Sequence, residues 1–185
     1  MASGTPGGLA AIYEAVASAA ASGRGPSPVH LWNPANCGEI DLRIARDGTW
    51  FHEGTPIGRP TLVRLFSTVL RHDADGFWLV TPVEKLRITV EDAPFVAIGL
   101  EHDGEAIRFA TNVGDLVEAG PDHPIRVETA ADGEPRPYVH VRGGLEALIA
   151  RPVFYDLVAM GEAGDGHLRV RSNGAWFDLG SLEGA

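Results

Sequence analysis

Cysteine is nearly absent. Cys37 is the single one in 185 residues, so no disulfide can form within the chain and a cysteine-based zinc site is excluded. Lysine is equally scarce: Lys85 stands alone beside fourteen arginines, which codon bias toward arginine accounts for. No apolar run approaches the ~20 residues that a membrane-spanning helix needs. No basic segment precedes the alanines near the start, so the N-terminus does not read as a signal peptide, and a cytoplasmic location is the default expectation. Positive charge is in deficit. A net charge of −10 repels a phosphate backbone and argues against general nucleic-acid binding, though not against a local basic pocket. The seven histidines are scattered, with no His-Glu-x-x-His spacing. Walker loops, dinucleotide fingerprints and nucleophile elbows are also missing, so no metal, cofactor or complete catalytic motif is expected.

What is present is ample for folding. A chain of this length buries roughly 70% of its unfolded surface and needs no covalent staples. Residues 1–8 are small and polar and are expected to be disordered. Residues 9–22 form an alanine-rich helical stretch with Leu9, Ile12, Tyr13 and Val16 on one face, and a Gly/Pro/Ser linker follows at 22–28. From Glu39 the period changes to two, as Ile40, Leu42 and Ile44 alternate with polar residues. Asp-Gly or Asn-Gly occurs six times, mostly between alternating runs, which is an antiparallel hairpin signal. Helices are few, so the expected class is α+β with antiparallel sheets. The domains expected are an N-terminal helix and linker over 1–27, a first α+β domain over 28–92, and a second over 93–185.

Two stretches organise this pattern. Residues 57–66 and 149–158 each carry Ile, Arg, Pro and Leu at matching offsets, with Pro60 and Pro152 placed to open an apolar helix. The first is expected to continue through Val69 and Leu70, and Gly161 to cap the second. A helix length after each start comes Asp-Gly, then a run of strand type at 77–80 and at 167–170. The succession of helix, turn and strand indicates a duplicated core in which each half packs a helix on a β-rich body.

Cys37-Gly38-Glu39-Ile40-Asp41, Asp47-Gly48-Thr49-Trp50-Phe51, Thr81-Pro82-Val83-Glu84-Lys85 and Tyr138-Val139-His140-Val141-Arg142 resemble the bacterial domain-of-unknown-function family DUF1285. The resemblance runs from about Trp32 to Gly180. It implies a duplicated core, a second domain loosely similar to pleckstrin-homology folds, a nucleotide-type ligand site between the domains, and a signalling role. It brings no established activity and no catalytic residues.

Three sets of residues are candidates for a site. Arg59 and Arg151 open the two helices, where a cation opposes the dipole by ~0.3–1 kcal/mol and an anion would offset it. The alternative is that each pairs with Glu39, Glu53, Glu146 or another carboxylate. Pro82 breaks a strand and could aim Glu84 and Lys85 inward, with Lys85 as a point charge for phosphate, or the pair could be solvated. Arg136, Tyr138, His140 and Arg142 alternate on one strand face, suited to stacking and phosphate contacts or simply to solvent. Tyr155 could add a hydroxyl or pack. Trp50, Phe51, Trp78, Trp176 and Phe177 read as core, with Trp50 or Trp176 as optional groove-lining residues. Cys37 reads as a buried small residue.

The function expected is a binding protein holding a small anionic, nucleotide-like ligand between its halves and signalling to a protein partner. Its residues would be Arg59, Arg151, Lys85, Glu84, Arg136, Tyr138, Arg142, Tyr155 and Trp50. The alternatives are an enzyme on such a substrate, using Glu84 with Lys85 or His52 with Glu53, and a protein-interaction module.

Overall fold

The computed structural model describes residues 8–20 and 25–183. The expected disorder at 1–7, and the part of the expected linker before Gly25, lie outside the described residues. The chain divides between Asp92 and Ala93 into two compact units.

The first unit runs through α1 (Leu9–Ala20), a single 3-10 turn (Val29–Leu31), β1 (Cys37–Ile44), β2 (Trp50–His52), β3 (Thr55–Pro56), α2 (Pro60–Ser67), β4 (Leu70–Asp73), β5 (Gly76–Val80) and β6 (Lys85–Val90). Its strands form one sheet in the order β3-β2-β1-β6-β5-β4. Each half of that sheet is an antiparallel meander, and the halves join where β1 and β6 lie side by side in parallel. The alternation read in β1 holds, with Leu42 and Ile44 buried in the core of the unit, as are Leu79, Leu86 and Ile88. The α1 helix packs on α2 and buries Ile12 and Val16, whereas Tyr13 faces outward.

The second unit contains β7 (Phe95–His102), β8 (Ile107–Thr111), β9 (Leu116–Glu118), β10 (Ile125–Thr129), β11 (Pro135–Arg142), β12 (Leu145–Ile149), α3 (Arg151–Ala159), β13 (Glu162–Gly164), β14 (His167–Ser172) and β15 (Ala175–Ser181). Six strands follow the order β10-β11-β12-β7-β8-β9, and β13-β14-β15 form a separate small sheet. Here too two antiparallel meanders meet through their first and last strands, β7 and β12, in parallel. Register places Ile125, Val139, Ala147 and Phe95 in one row across four strands, all buried.

The two units therefore share one strand scheme, and the class is α+β with two β-rich domains. Four expectations need correction. The sheets are mixed, because the strand that closes each one is a sequence-remote parallel neighbour. The first organising helix stops at Ser67, where the hydroxyls of Ser67 and Thr68 each donate to the carbonyls of Arg64 and Leu65 at 2.6 Å. Leu70 and the three residues after it then pair with β5. Side-chain bonds of this kind compete with the helix ladder. The repeat also has a different register from the one read in sequence. Each Arg-Pro helix is followed by a strand, an Asp-Gly turn and a strand, but α2 lies between the two meanders of its sheet whereas α3 follows both. The hairpin after α2 joins the large sheet, and the hairpin after α3 starts the small one.

Gly161 does not cap α3 through a left-handed conformation. Met160 takes the C-cap position with φ −89°, and Gly161 donates to Val158 at 3.0 Å. Glycine is required here by close approach: a Cβ would lie 2.7 Å from Leu168 of β14 and 3.0 Å from the Val158 carbonyl. Gly161→Ala should cost about 1–3 kcal/mol in chemical denaturation. Gly58→Ala, where a Cβ meets open space, should stay within about 0.5 kcal/mol of wild type.

Candidate functional site

In the first unit, Arg59 is the N-cap residue of α2, in an extended conformation at φ −111° and ψ 102°. It is exposed and makes no side-chain capping bond, and the first turn carries no acidic residue. Pro60 offers no N–H. Among the described residues of this unit the other arginines divide clearly. Arg43 pairs with Glu91, Arg46 with Asp92, Arg71 with Asp73 and Arg87 with Asp75. Arg64 has no carboxylate partner but occupies the last turn of α2, where a cation suits the dipole. Arg59 has neither a carboxylate nor a favourable helix end.

Lys85 is placed differently from what its sequence setting suggested. Thr81 Oγ1 accepts from the amides of Val83 and Glu84, and the Thr81 amide donates to the Glu84 carbonyl at 2.9 Å, so the chain turns tightly around Pro82. The Lys85 ammonium then donates to Asp73 Oδ2 at 2.6 Å and lies 4.0 Å from the Trp78 ring centroid, with the Arg87 guanidinium 4.5 Å from the same ring. Asp73 also takes a two-pronged bond from Arg71 at 2.9 Å, and Arg71 donates on to the carbonyls of Val29 and Trp32. Burial raises the Asp73 pKa, but hydrogen bonds from Arg71 and Lys85, with their charges, outweigh it and hold the carboxyl below its ordinary value. Lys85 is thus a structural partner in a cation–aspartate network that pins the 3-10 turn to β4. Glu84 is half-buried and apart from this network.

Trp50 is a core residue, 1% exposed, stacked on Phe66 of α2 at 6.5 Å between centroids. Its Nε1 is buried without a hydrogen-bond partner. Burial removes it as a stacking platform. Trp78 and Phe177 are also core, Phe51 is half-buried beneath Arg43 at 4.3 Å, and Trp176 is exposed. Cys37, expected inside, is exposed on the first residue of β1.

In the second unit Arg151 pairs with Glu134 at 2.8 Å on the surface, which is the carboxylate alternative weighed from sequence. Tyr155 is exposed on α3. The polar face read on β11 holds only in part. Tyr138 is 3% exposed, and the Arg126 guanidinium covers its ring at 4.4 Å while binding both oxygens of Glu146 and one of Glu128. His140 is locked: its Nε2 accepts from the Gly144 amide at 3.1 Å, so its Nδ1 carries the proton toward the Asp122 carbonyl at 3.1 Å. A bulge between His140 and Arg142 then changes the face. Arg142 ends opposite Leu145, bonded to Asp115 at 2.7 Å and 5.0 Å from the centre of the Phe95 ring. Arg136 sits half-buried opposite Glu128 across the β10–β11 ladder.

A feature missed in the sequence lies elsewhere in this unit. An open cleft of ≈ 660 Å³ is lined by His102, Glu105, Met160, Glu162, Arg171 and Ile107, with Val170 and the 173–174 turn completing it. Its rim is well made. The Ser172 hydroxyl, fully buried, accepts from the Ile107 amide at 2.8 Å and donates to the Ala119 carbonyl at 2.7 Å. Asn173 donates its side-chain amide to Glu118 and Ala119 and its backbone amide to Glu105. The Asp-Gly and Asn-Gly turns at 103–104 and 173–174 were visible in sequence, but not that the ends of β8 and β14 meet.

Asp103 fixes one of these turns. It accepts from the amides of Glu105 and Ala106 and pairs with Arg108 at 2.8 Å. Those bonds, the Ala106 amide first, lower its pKa from 3.8 to about 2. The carboxylate form is the one favoured by folding, so its contribution to stability is complete above pH 3.8 and is lost as pH falls toward about 2. An NMR titration should place the Asp103 midpoint near 2, and Arg108→Gln should move it upward.

The family comparisons agree with this architecture. The model of the DUF1285 N-terminal domain matches residues 27–93 and that of the DUF1285 C-terminal domain matches residues 94–179. The chain is similar to the crystal structure of a DUF1285 family protein from Silicibacter pomeroyi DSS-3. The two are 52% identical with a TM-score of 0.88 over 95% of this chain and 96% of that one. A DUF1285 family protein from Shewanella baltica OS155 is 27% identical, with a TM-score of 0.52 over 64% of this chain and 90% of that one. None of the curated proteins compared with the chain matches it. The chain belongs to the DUF1285 family, whose function is unknown.

Proposed function

We propose that this DUF1285 protein is a binding module for a small anionic, nucleotide-like ligand, and that the Arg59 end of α2 supplies its anion contact. The observation that carries this reading is the uncompensated charge there. Arg59 has no carboxylate partner among the described residues and stands at the positive end of a helix dipole, with no side-chain cap and open space beside Gly58. An anion would be attracted by the guanidinium and by the Thr61 amide, since Pro60 has no N–H and the amides of Leu62 and Val63 donate to the Arg59 carbonyl. Arg151 at the other Arg-Pro helix is already neutralised by Glu134, so the first unit carries the proposal. A signalling role would follow if ligand binding biased the protein between conformers that a partner distinguishes.

A catalytic reading has less support. Of the acid–base pairs close in sequence, Lys85 is held by Asp73, and Glu53 lies exposed in a turn with φ 48°. A protein-interaction reading is favoured by one observation: in the second unit's sheet Leu116, opposite Ala110, is 80% exposed and Ile98, at the bulge of β7, is 59% exposed. The pleckstrin-homology likeness that the family resemblance implies for that unit would suit the same reading.

Thermal shift decides between these readings. ATP, GTP, cyclic nucleotides and inorganic phosphate should be tested at millimolar concentration. At a hundredfold excess over Kd the expected stabilisation is about 2.7 kcal/mol. Arg59→Ala should abolish it and Arg64→Ala should not. Absence of any shift, or an equal shift in Arg59→Ala, overturns the assignment.

A further inference from the structure

The cleft of the second unit has a chemistry of its own. Arginines of this unit are otherwise mostly neutralised: Arg108 by Asp103 and Glu118, Arg126 by Glu128 and Glu146, Arg142 by Asp115, Arg151 by Glu134 and Arg169 by Asp165. At the cleft this pattern stops. Arg171 has no carboxylate partner, and the side chains of Glu105, Glu162 and His102 have no hydrogen-bonding or ionic partner among the described residues. Four ionisable side chains of mixed sign thus line one concavity without satisfying one another. Half-buried Met160 supplies apolar surface among them, and buried Ile107 and Val170 lie beneath.

We infer that this cleft binds a small amino compound carrying both a carboxylate and an ammonium group, with neutral or positive net charge: a basic amino acid or a short basic peptide. Arg171 offers a planar, two-pronged contact for a carboxylate. Glu105 and Glu162 accept from the ammonium group, and half-buried Met160 takes the aliphatic stem. Glu105, Glu162 and Arg171 together sum to one negative charge, so a dicarboxylic amino acid is disfavoured. A volume of ≈ 660 Å³ lies within the range of small-molecule sites and leaves room for one or two amino-acid units. The site is preformed, because the buried Ser172 and the bonds of Asn173 hold its walls together before any ligand arrives. Preorganisation of that kind reduces the entropic cost of binding.

Isothermal titration calorimetry on the full chain tests this with L-lysine, lysyl-glycine, L-glutamate and cadaverine. L-Lysine should give saturable binding, with L-glutamate and cadaverine at least tenfold weaker. Tighter binding of lysyl-glycine assigns the natural ligand to peptides, and weaker binding assigns it to free amino acids. Arg171→Gln and Glu162→Gln should each lower the affinity for L-lysine at least tenfold. Both residues are exposed, so the melting temperatures of the variants should stay near wild type. Glu101→Gln, one residue along β7 and on its opposite face, should bind as wild type does. No saturable heat with L-lysine or lysyl-glycine at millimolar concentration overturns the proposal. So does cadaverine binding as tightly as L-lysine, or unchanged affinity in both cleft variants. None of these readouts depends on Arg59, so this proposal and the anion proposal for α2 fail separately.

Discussion

The pairing of the first and last strands of each six-stranded sheet is the constraint on which both units rest. A three-stranded meander forms from local contacts, but alone it has two edges and one shallow apolar face. Setting β1 against β6, and β7 against β12, converts two meanders into one sheet and makes these its two central strands. Phe95, Ala97, Ala147 and Ile149 are all buried in the second unit for that reason. The partners are separated by most of a domain in sequence, so the loop-closure cost is met only when the whole core condenses. The parallel sense follows from the link between the meanders: each has three strands, so its first and last share a direction, and β1 runs with β6 because β4 starts in the direction of β3, as β10 does in that of β9.

Charge is distributed with similar economy over these scaffolds. An acidic chain with few cations uses most of them to hold itself together. Lys85 and Arg71 converge on Asp73, Arg126 clamps Glu146 over the ring of Tyr138, and Arg142 reaches Asp115. Exposed pairs of this kind contribute little singly, and networks with partly buried members contribute more. The informative cations are the few outside such networks. Arg59 stands at a helix end that disfavours it, and Arg171 lines a cleft with carboxylates it does not bind.

Much of the local structure was legible in the residues. Asp-Gly and Asn-Gly marked the hairpins at 75–76, 103–104, 132–133, 165–166 and 173–174 because the glycine takes the positive φ of each turn, joined by Asp165 and Asn173 in the two-residue connections. Pro60 and Pro152 marked helix starts because proline fixes φ and lacks the N–H that a first turn leaves unused. The misreadings have local causes too. Leu70 fits a helical period as well as a strand period, and only the hydroxyls of Ser67 and Thr68 end the helix before it. Arg142 lies two residues beyond His140, yet a bulge sends it to the other face, and alternation cannot register an extra residue.

The candidate site was less legible than the fold, since function here depends on what each charge meets. Sequence alone determined the β-rich α+β class, the hairpins, the helix starts and the absence of familiar catalytic and metal motifs, all of which follow from backbone preferences and short-range spacing. Tertiary structure alone decided that Lys85, Arg142 and Arg151 are neutralised, that Trp50 and Tyr138 are covered, and that His102, Glu105, Glu162 and Arg171 line one cleft. Those outcomes depend on strands brought together from distant parts of the chain. Coulombic and hydrogen-bond partners are set by distances in space, which spacing along the chain does not encode.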